Sequence, residues 1–117
     1  MRIALRLMMI GAGLLACAAA FAAEDHEVMI KMQKESFVPA QTRVAIGARI
    51  TWTNMDEVPH SVTALDGRFD SGPILPGQSF QWTPQEAGAI DYHCIFHPSM
   101  TAALTVRVAA KKAGHKP

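Results

Sequence analysis

Cysteine is scarce. The 117-residue sequence holds two, and one of them, Cys17, sits inside an apolar start. That excludes a framework of several disulfides and a zinc site built from four cysteines. A dominant charge is also missing. Eleven basic residues face ten acidic ones, a formal charge of +1, so there is no basic footprint for nucleic acid. No helical stripe runs longer than a turn or two, and there are no repeats or low-complexity linkers. The length suffices for one domain and not for two.

Apolar residues are plentiful, at 50%, and much of the excess lies in the first 23 positions. Arg2 and Arg6 form a positive n-region, Leu7 to Ala20 is an apolar h-region, and Ala20-Phe21-Ala22 fits an A-x-A cleavage site. Residues 1–22 are therefore read as a secretion signal. The core is short for a membrane span of ~20 apolar residues, so no membrane span is expected. Leu14-Leu15-Ala16-Cys17 loosely resembles a lipobox, which leaves a lipid anchor at Cys17 as an alternative. Removing 1–22 from 117 leaves 95 residues and takes away Arg2 and Arg6, so 11 basic residues become 9 against 10 acids. Cys94 is then the sole cysteine of an exported, periplasmic protein. A lone thiol in an oxidising compartment is a liability unless something occupies it.

The remainder reads as all-β. Val28, Ile30 and Met32 alternate with Met29, Lys31 and Gln33 at a period of two. Further strands are expected over Thr42 to Ile46, Arg49 to Thr53, Ser61 to Leu65, Ser79 to Thr83, Ala89 to His93 and Thr101 to Ala109. In the last of these, Leu104, Val106 and Val108 share one face. Asp66-Gly67, Gly72-Pro73, Pro76-Gly77 and Pro84 to Gly88 mark turns. Seven or eight short strands with regular turns point to a β-sandwich, with its domain over residues 23–110 and a basic polar tail over 111–117. Trp52 is assigned to the core, and Phe80 and Trp82 to the inward face of their strand.

The chemistry gathers near the C-terminus, where Cys94, His97 and Met100 form C-x2-H-x2-M and His60 lies upstream behind Pro59. Each donor alone has an ordinary structural explanation, Cys94 as a small buried hydrophobe above all. Together they make two imidazoles, a thiolate and a thioether, the ligand set of a blue-copper centre with a weak axial Met. Soft sulfur favours Cu(I), while imidazole accepts both oxidation states. Cys94 is expected to end a strand, with the next five residues as a loop and Met100 starting the returning strand. Zinc could also use His60, Cys94 and His97, without need of Met100. His93 alternates with Cys94 and belongs to the other side of its strand. Asp56 and Glu57 are adjacent carboxylates that do not converge, and they read as solvated charge. His26 and His115, near the ends, read as solvated.

These residues resemble the cupredoxin family, and its amicyanin-like and plastocyanin-like branch in particular. The resemblance rests on Asn54 through Pro59-His60, Phe69-Asp70-Ser71-Gly72, Pro76-Gly77, Gly88, and Tyr92-His93-Cys94 through His97-Pro98-Ser99-Met100, and it covers Val28 to Val108. It implies an eight-stranded Greek-key sandwich carrying one type I copper, with His60, Cys94, His97 and Met100 as ligands. It also implies a single-electron carrier, a monomer with no enzymatic activity of its own, that docks redox proteins near His97, Phe96 and Pro98. The alternative is a copper trafficking or storage protein on the same fold, to which Met29, Met32 and Met55 would contribute a methionine surface. Two positions depart from the branch. Ser61 stands where the family has an Asn that tethers the cysteine loop, and it reaches less far with fewer hydrogen bonds. Phe96 stands where amicyanin has a proline.

Overall fold

The computed structural model describes residues 26–109. The signal and Cys17, the tail 111–117 and His115 lie outside the described residues. Within them the chain forms eight strands: β1 (Glu27–Gln33), β2 (Ser36–Val38), β3 (Gln41–Ala45), β4 (Arg49–Asn54), β5 (Thr63–Ala64), β6 (Ser79–Trp82), β7 (Gly88–Cys94) and β8 (His97–Arg107). They make two four-stranded sheets, ordered β2-β1-β4-β6 and β3-β8-β7-β5. Each sheet holds one parallel pair, β1 with β4 and β3 with β8, among antiparallel neighbours. The described residues contain no helix long and apolar enough to cross a membrane.

The period-two pattern buries one face of each sheet. Ile30 and Met32 of β1, Ile50 and Trp52 of β4, Ile90 and Tyr92 of β7, and Leu104 and Val106 of β8 are all buried. Trp52 is the centre of this core. Its ring packs against Phe69, Phe80 and Tyr92 at centroid distances of 5.8, 5.7 and 5.6 Å, and its Nε1–H donates to Tyr92 Oη at 3.1 Å. Phe80 and Trp82 are partly buried against the same cluster. Fully burying side chains of this kind stabilises by about 1.5–3 kcal/mol each.

Four details differ from the sequence reading. Ser36–Val38 forms an additional short strand, because Phe37 is buried between exposed neighbours. The strand expected over Ser61 to Leu65 shrinks to Thr63–Ala64, because the Ser61 amide bonds to Cys94 Sγ and Val62 bonds to Ser71 in place of a strand partner. β8 ends at Arg107, so Val108 is 68% exposed and does not join Leu104 and Val106. β8 also begins earlier than expected, at His97, which reshapes the hairpin between Cys94 and His97.

Candidate metal centre

The centre sits where β7 turns into β8. The connection is a two-residue turn, Ile95-Phe96, and not a five-residue loop, because Cys94 pairs directly with His97 across the hairpin. Residues opposite one another in an antiparallel pair share a face, so the two side chains meet: Cys94 Sγ lies 3.7 Å from His97 Nδ1. His93 pairs with Thr101, so Pro98, Ser99 and Met100 have no counterpart on β7. This bulge resets the alternation of β8. His97 faces inward beside Cys94, and Met100 is nevertheless buried with Ala102 and Leu104. His93 faces the other side of β7 from Cys94, as expected, and is half-buried.

His60 arrives on the connection from β4 of one sheet to β5 of the other. Asn54, fully buried at the end of β4, shapes its loop. The Asn54 amide donates to the carbonyls of Val58 and Ile74 at 2.8 and 2.9 Å, and its Oδ1 accepts the Asp56 amide at 2.9 Å. His60 and Ile74 then exchange backbone hydrogen bonds of 3.1 and 2.7 Å. The ring is fully buried, with Nδ1 3.7 Å from Cys94 Sγ. The His60 and His97 rings stand edge to face, 5.0 Å apart.

Donor atoms of His60, Cys94 and His97 all lie within 4.8 Å of one another. That spacing fits one metal ion. Bonds of ~2.0 Å to nitrogen and ~2.3 Å to sulfur, opened to 110–120°, put the two donors about 3.5–3.7 Å apart, and both S···N separations are 3.7 Å. The thiolate and two imidazoles are the soft and borderline donors that copper takes. Met100, the fourth sequence-predicted residue, is buried in the adjoining core at 2% exposure. Cys94 is free and fully buried, while the His97 side chain is 27% exposed and faces Glu35 Oε2 at 3.8 Å.

Two supporting residues carry more than the sequence suggested. Asp56 is not solvated charge. Its carboxylate accepts the amides of Lys34 and Glu35 at 2.7 and 2.9 Å, and its Oδ2 lies 2.7 Å from His60 Nε2. Burial pushes its carboxyl up, but the Glu35 amide, the His60 ring and the Lys34 amide together hold it below the usual value. Its place four residues before His60 was the available signal. Glu57 is exposed, as expected. Ser61, for its part, does tether the hairpin. Its backbone N–H donates to Cys94 Sγ at 3.3 Å, and its Oγ accepts the Ile95 amide at 2.9 Å. The shorter side chain suffices because Ser61 itself is buried against the turn. Of the methionines considered as a surface, Met32 is in the core and Met29 and Met55 are exposed.

Comparison with known proteins agrees with this geometry. Residues 6–106 match the cupredoxin-like domain family. Amicyanin from Paracoccus denitrificans is 30% identical over 87 residues, spanning 70% of this chain and 66% of that protein. Amicyanin-alpha from Methylorubrum extorquens is 30% identical over 82 residues, spanning 66% and 69%. Among solved structures, an amicyanin variant in its Cu(I) form superposes with a TM-score of 0.67 at 26% identity, covering 73% of this chain and 86% of that one. A purple cupredoxin from Nitrosopumilus maritimus superposes at 0.61 with 28% identity, covering 68% and 98%. With the sandwich, the buried thiol and the two converging imidazoles in place, the chain belongs to the cupredoxin family, as a small blue copper protein similar to the amicyanins.

Proposed function

We propose that this protein is a periplasmic single-electron carrier, with copper held by His60, Cys94, His97 and Met100. The observation that carries the reading is the convergence of His60 Nδ1, Cys94 Sγ and His97 Nδ1. When bound, copper supplies one-electron chemistry between Cu(II) and Cu(I). The protein's part is to hold the donors in one arrangement for both states. Asp56 fixes the His60 ring, the Ser61 amide fixes the sulfur, and the Cys94–His97 pairing fixes the hairpin. Burial of His60 and Cys94 keeps water from the ligands. His97 alone is partly exposed, so its edge is the route for the electron.

Next to His97 in the turn, Phe96 and Ile95 are 45% and 49% exposed, and Pro98 is exposed beside them. A small apolar patch suits brief docking of a redox protein, since such encounters use small interfaces. The signal-like residues 1–22 support the periplasmic assignment.

The test is a Cu(II) titration of the mature protein, read by visible absorption and electron paramagnetic resonance. An intense blue thiolate-to-copper band saturating at one equivalent, absent in Cys94→Ala, is the expected result. A colourless complex would overturn electron transfer in favour of copper trafficking.

A further inference from the structure

Ser61 Oγ holds the Ile95 amide, but the contact does not end there. Ser61 Oγ also lies 2.9 Å from Thr63 Oγ1, and Thr63 Oγ1 donates to Asp70 Oδ1 at 3.2 Å. A hydroxyl has one proton to give. Thr63 gives its own to the carboxylate, so Ser61 is the donor in the bond between the two hydroxyls. Ser61 then offers Ile95 only lone pairs, which is what the amide needs. Every proton points the same way, from Ile95 to Ser61 to Thr63 to Asp70.

The far end is anchored. Asp70 Oδ1 also accepts the Gly72 amide at 3.0 Å. Thr63 and Asp70 face each other as an antiparallel bridge. Next to them, Val62 N–H donates to Ser71 Oγ at 2.8 Å, and Ser71 N–H donates to Val62 O at 2.9 Å. The relay thus runs from the fully buried Ser61 through the half-buried Thr63 to the exposed Asp70.

We propose that Thr63 and Asp70 are positioning residues for the metal-binding hairpin. The relay Ile95–Ser61–Thr63–Asp70 does with three short side chains what one long amide side chain would do. Aligned hydrogen bonds polarise one another, and a carboxylate at the end strengthens the row. A Ser61 hydroxyl committed to Thr63 is the better acceptor for Ile95. Because the Ser61 amide also donates to Cys94 Sγ, fixing Ser61 fixes the hydrogen bond on the sulfur as well. Such bonds to a ligand tune its metal. The consequence for the metal rests on the copper reading above; the relay itself belongs to the polypeptide.

Thr63→Val tests it. Valine keeps the branched shape and changes no charge, but it cannot pass the proton on. Hydrogen exchange of the Ile95 amide, followed by NMR in the metal-free full-length mature protein, is expected to quicken about tenfold in Thr63→Val. Thr63→Ser is expected to restore the parent rate, and the core amides of Ile90 and Leu104 are expected to keep their protection in both variants. In the copper-loaded proteins, Thr63→Val is expected to lower the reduction potential, as a weaker N–H···S bond leaves the sulfur richer in electrons, and Thr63→Ser to return it. An unchanged Ile95 rate in Thr63→Val overturns the relay. Faster exchange with an unmoved potential overturns its role in positioning the metal centre. A parent protein that gives no blue band overturns the copper reading instead, and the metal-free exchange rates still decide whether the relay exists.

Discussion

His60 Nε2 and Asp56 Oδ2 lie 2.7 Å apart, and this contact sets the tautomer of the buried ligand ring. An ionised carboxylate only accepts, so Nε2 carries the proton. Nδ1 is then a lone pair directed at the neighbourhood of Cys94 Sγ. Asp56 is itself held by two amides of the β1–β2 turn, where Lys34 and Glu35 have φ of 55° and 56°. Successive N–H groups of a turn converge on one anion in this way. A turn at the edge of one sheet therefore orients a ligand that the other sheet's hairpin must meet.

Asp56→Asn should weaken metal affinity by roughly ten- to a hundredfold, the usual cost of losing a partner behind a ligating histidine. Asparagine keeps an oxygen for one turn amide but loses the charge that favours an Nε2 proton. Competition against a chromophoric chelator measures the change. An affinity equal to the parent's would show that burial alone orients His60.

Much of the fold was legible in the sequence because burial is coupled to alternation. Ile30, Met32, Trp52 and Tyr92 all face inward as their period of two requires. The cluster of candidate donors was legible in part because Cys94 and His97 stand close along the chain, and the structure brings His60 to them. Less visible were features made by pairing between distant segments. Ser36–Val38 is too short to show a period. The bulge opposite His93 and Cys94 depends on register, and the contact between Asp56 and His60 depends on Lys34 and Glu35 from another hairpin. Ser61 appeared to be a weak tether because a side chain's reach was judged without knowing how close the backbone comes.

Tyr92→Phe should destabilise the fold by about 1–3 kcal/mol. Phenylalanine keeps the ring contacts with Phe37 and Trp52, at 4.7 and 5.6 Å, but leaves the Trp52 Nε1–H without its acceptor in a dry core. Urea denaturation of the metal-free protein reads the loss directly. A change below about 0.5 kcal/mol, within the spread of ordinary surface substitutions, would assign no stabilising role to this bond.

The same hydroxyl predicts alkaline behaviour. Burial pushes Tyr92 up to about 12, and the Trp52 hydrogen bond offsets only part of that rise. In the unfolded chain the group titrates near pH 10. The fold therefore holds its proton more tightly. The contribution is fully present below pH 10 and is lost as pH rises toward 12, amounting to about 2–3 kcal/mol across that window. Tyr92 is the single tyrosine of the sequence, so phenolate absorbance reports it without overlap. Stability measured from pH 9 to 12 should fall less steeply in Tyr92→Phe than in the parent.

Met100 separates copper from zinc. Zinc would be satisfied by His60, Cys94, His97 and a water, whereas copper would also draw on the Met100 thioether. Truncating a side chain buried to 2% exposure also opens a cavity, at a cost of about 2–5 kcal/mol. Met100→Ala alone would confuse lost ligation with lost packing. Met100→Leu conserves volume and removes only the sulfur, so its packing cost stays below about 1.5 kcal/mol. In Met100→Leu the copper potential and blue spectrum should shift, while zinc affinity stays within roughly threefold of the parent. Equal losses for both metals in Met100→Ala, with neither metal affected in Met100→Leu, would mean that Met100 serves the site by filling space. An unmoved copper spectrum in Met100→Leu would remove the thioether from the ligand set and leave His60, Cys94 and His97 as the whole of it.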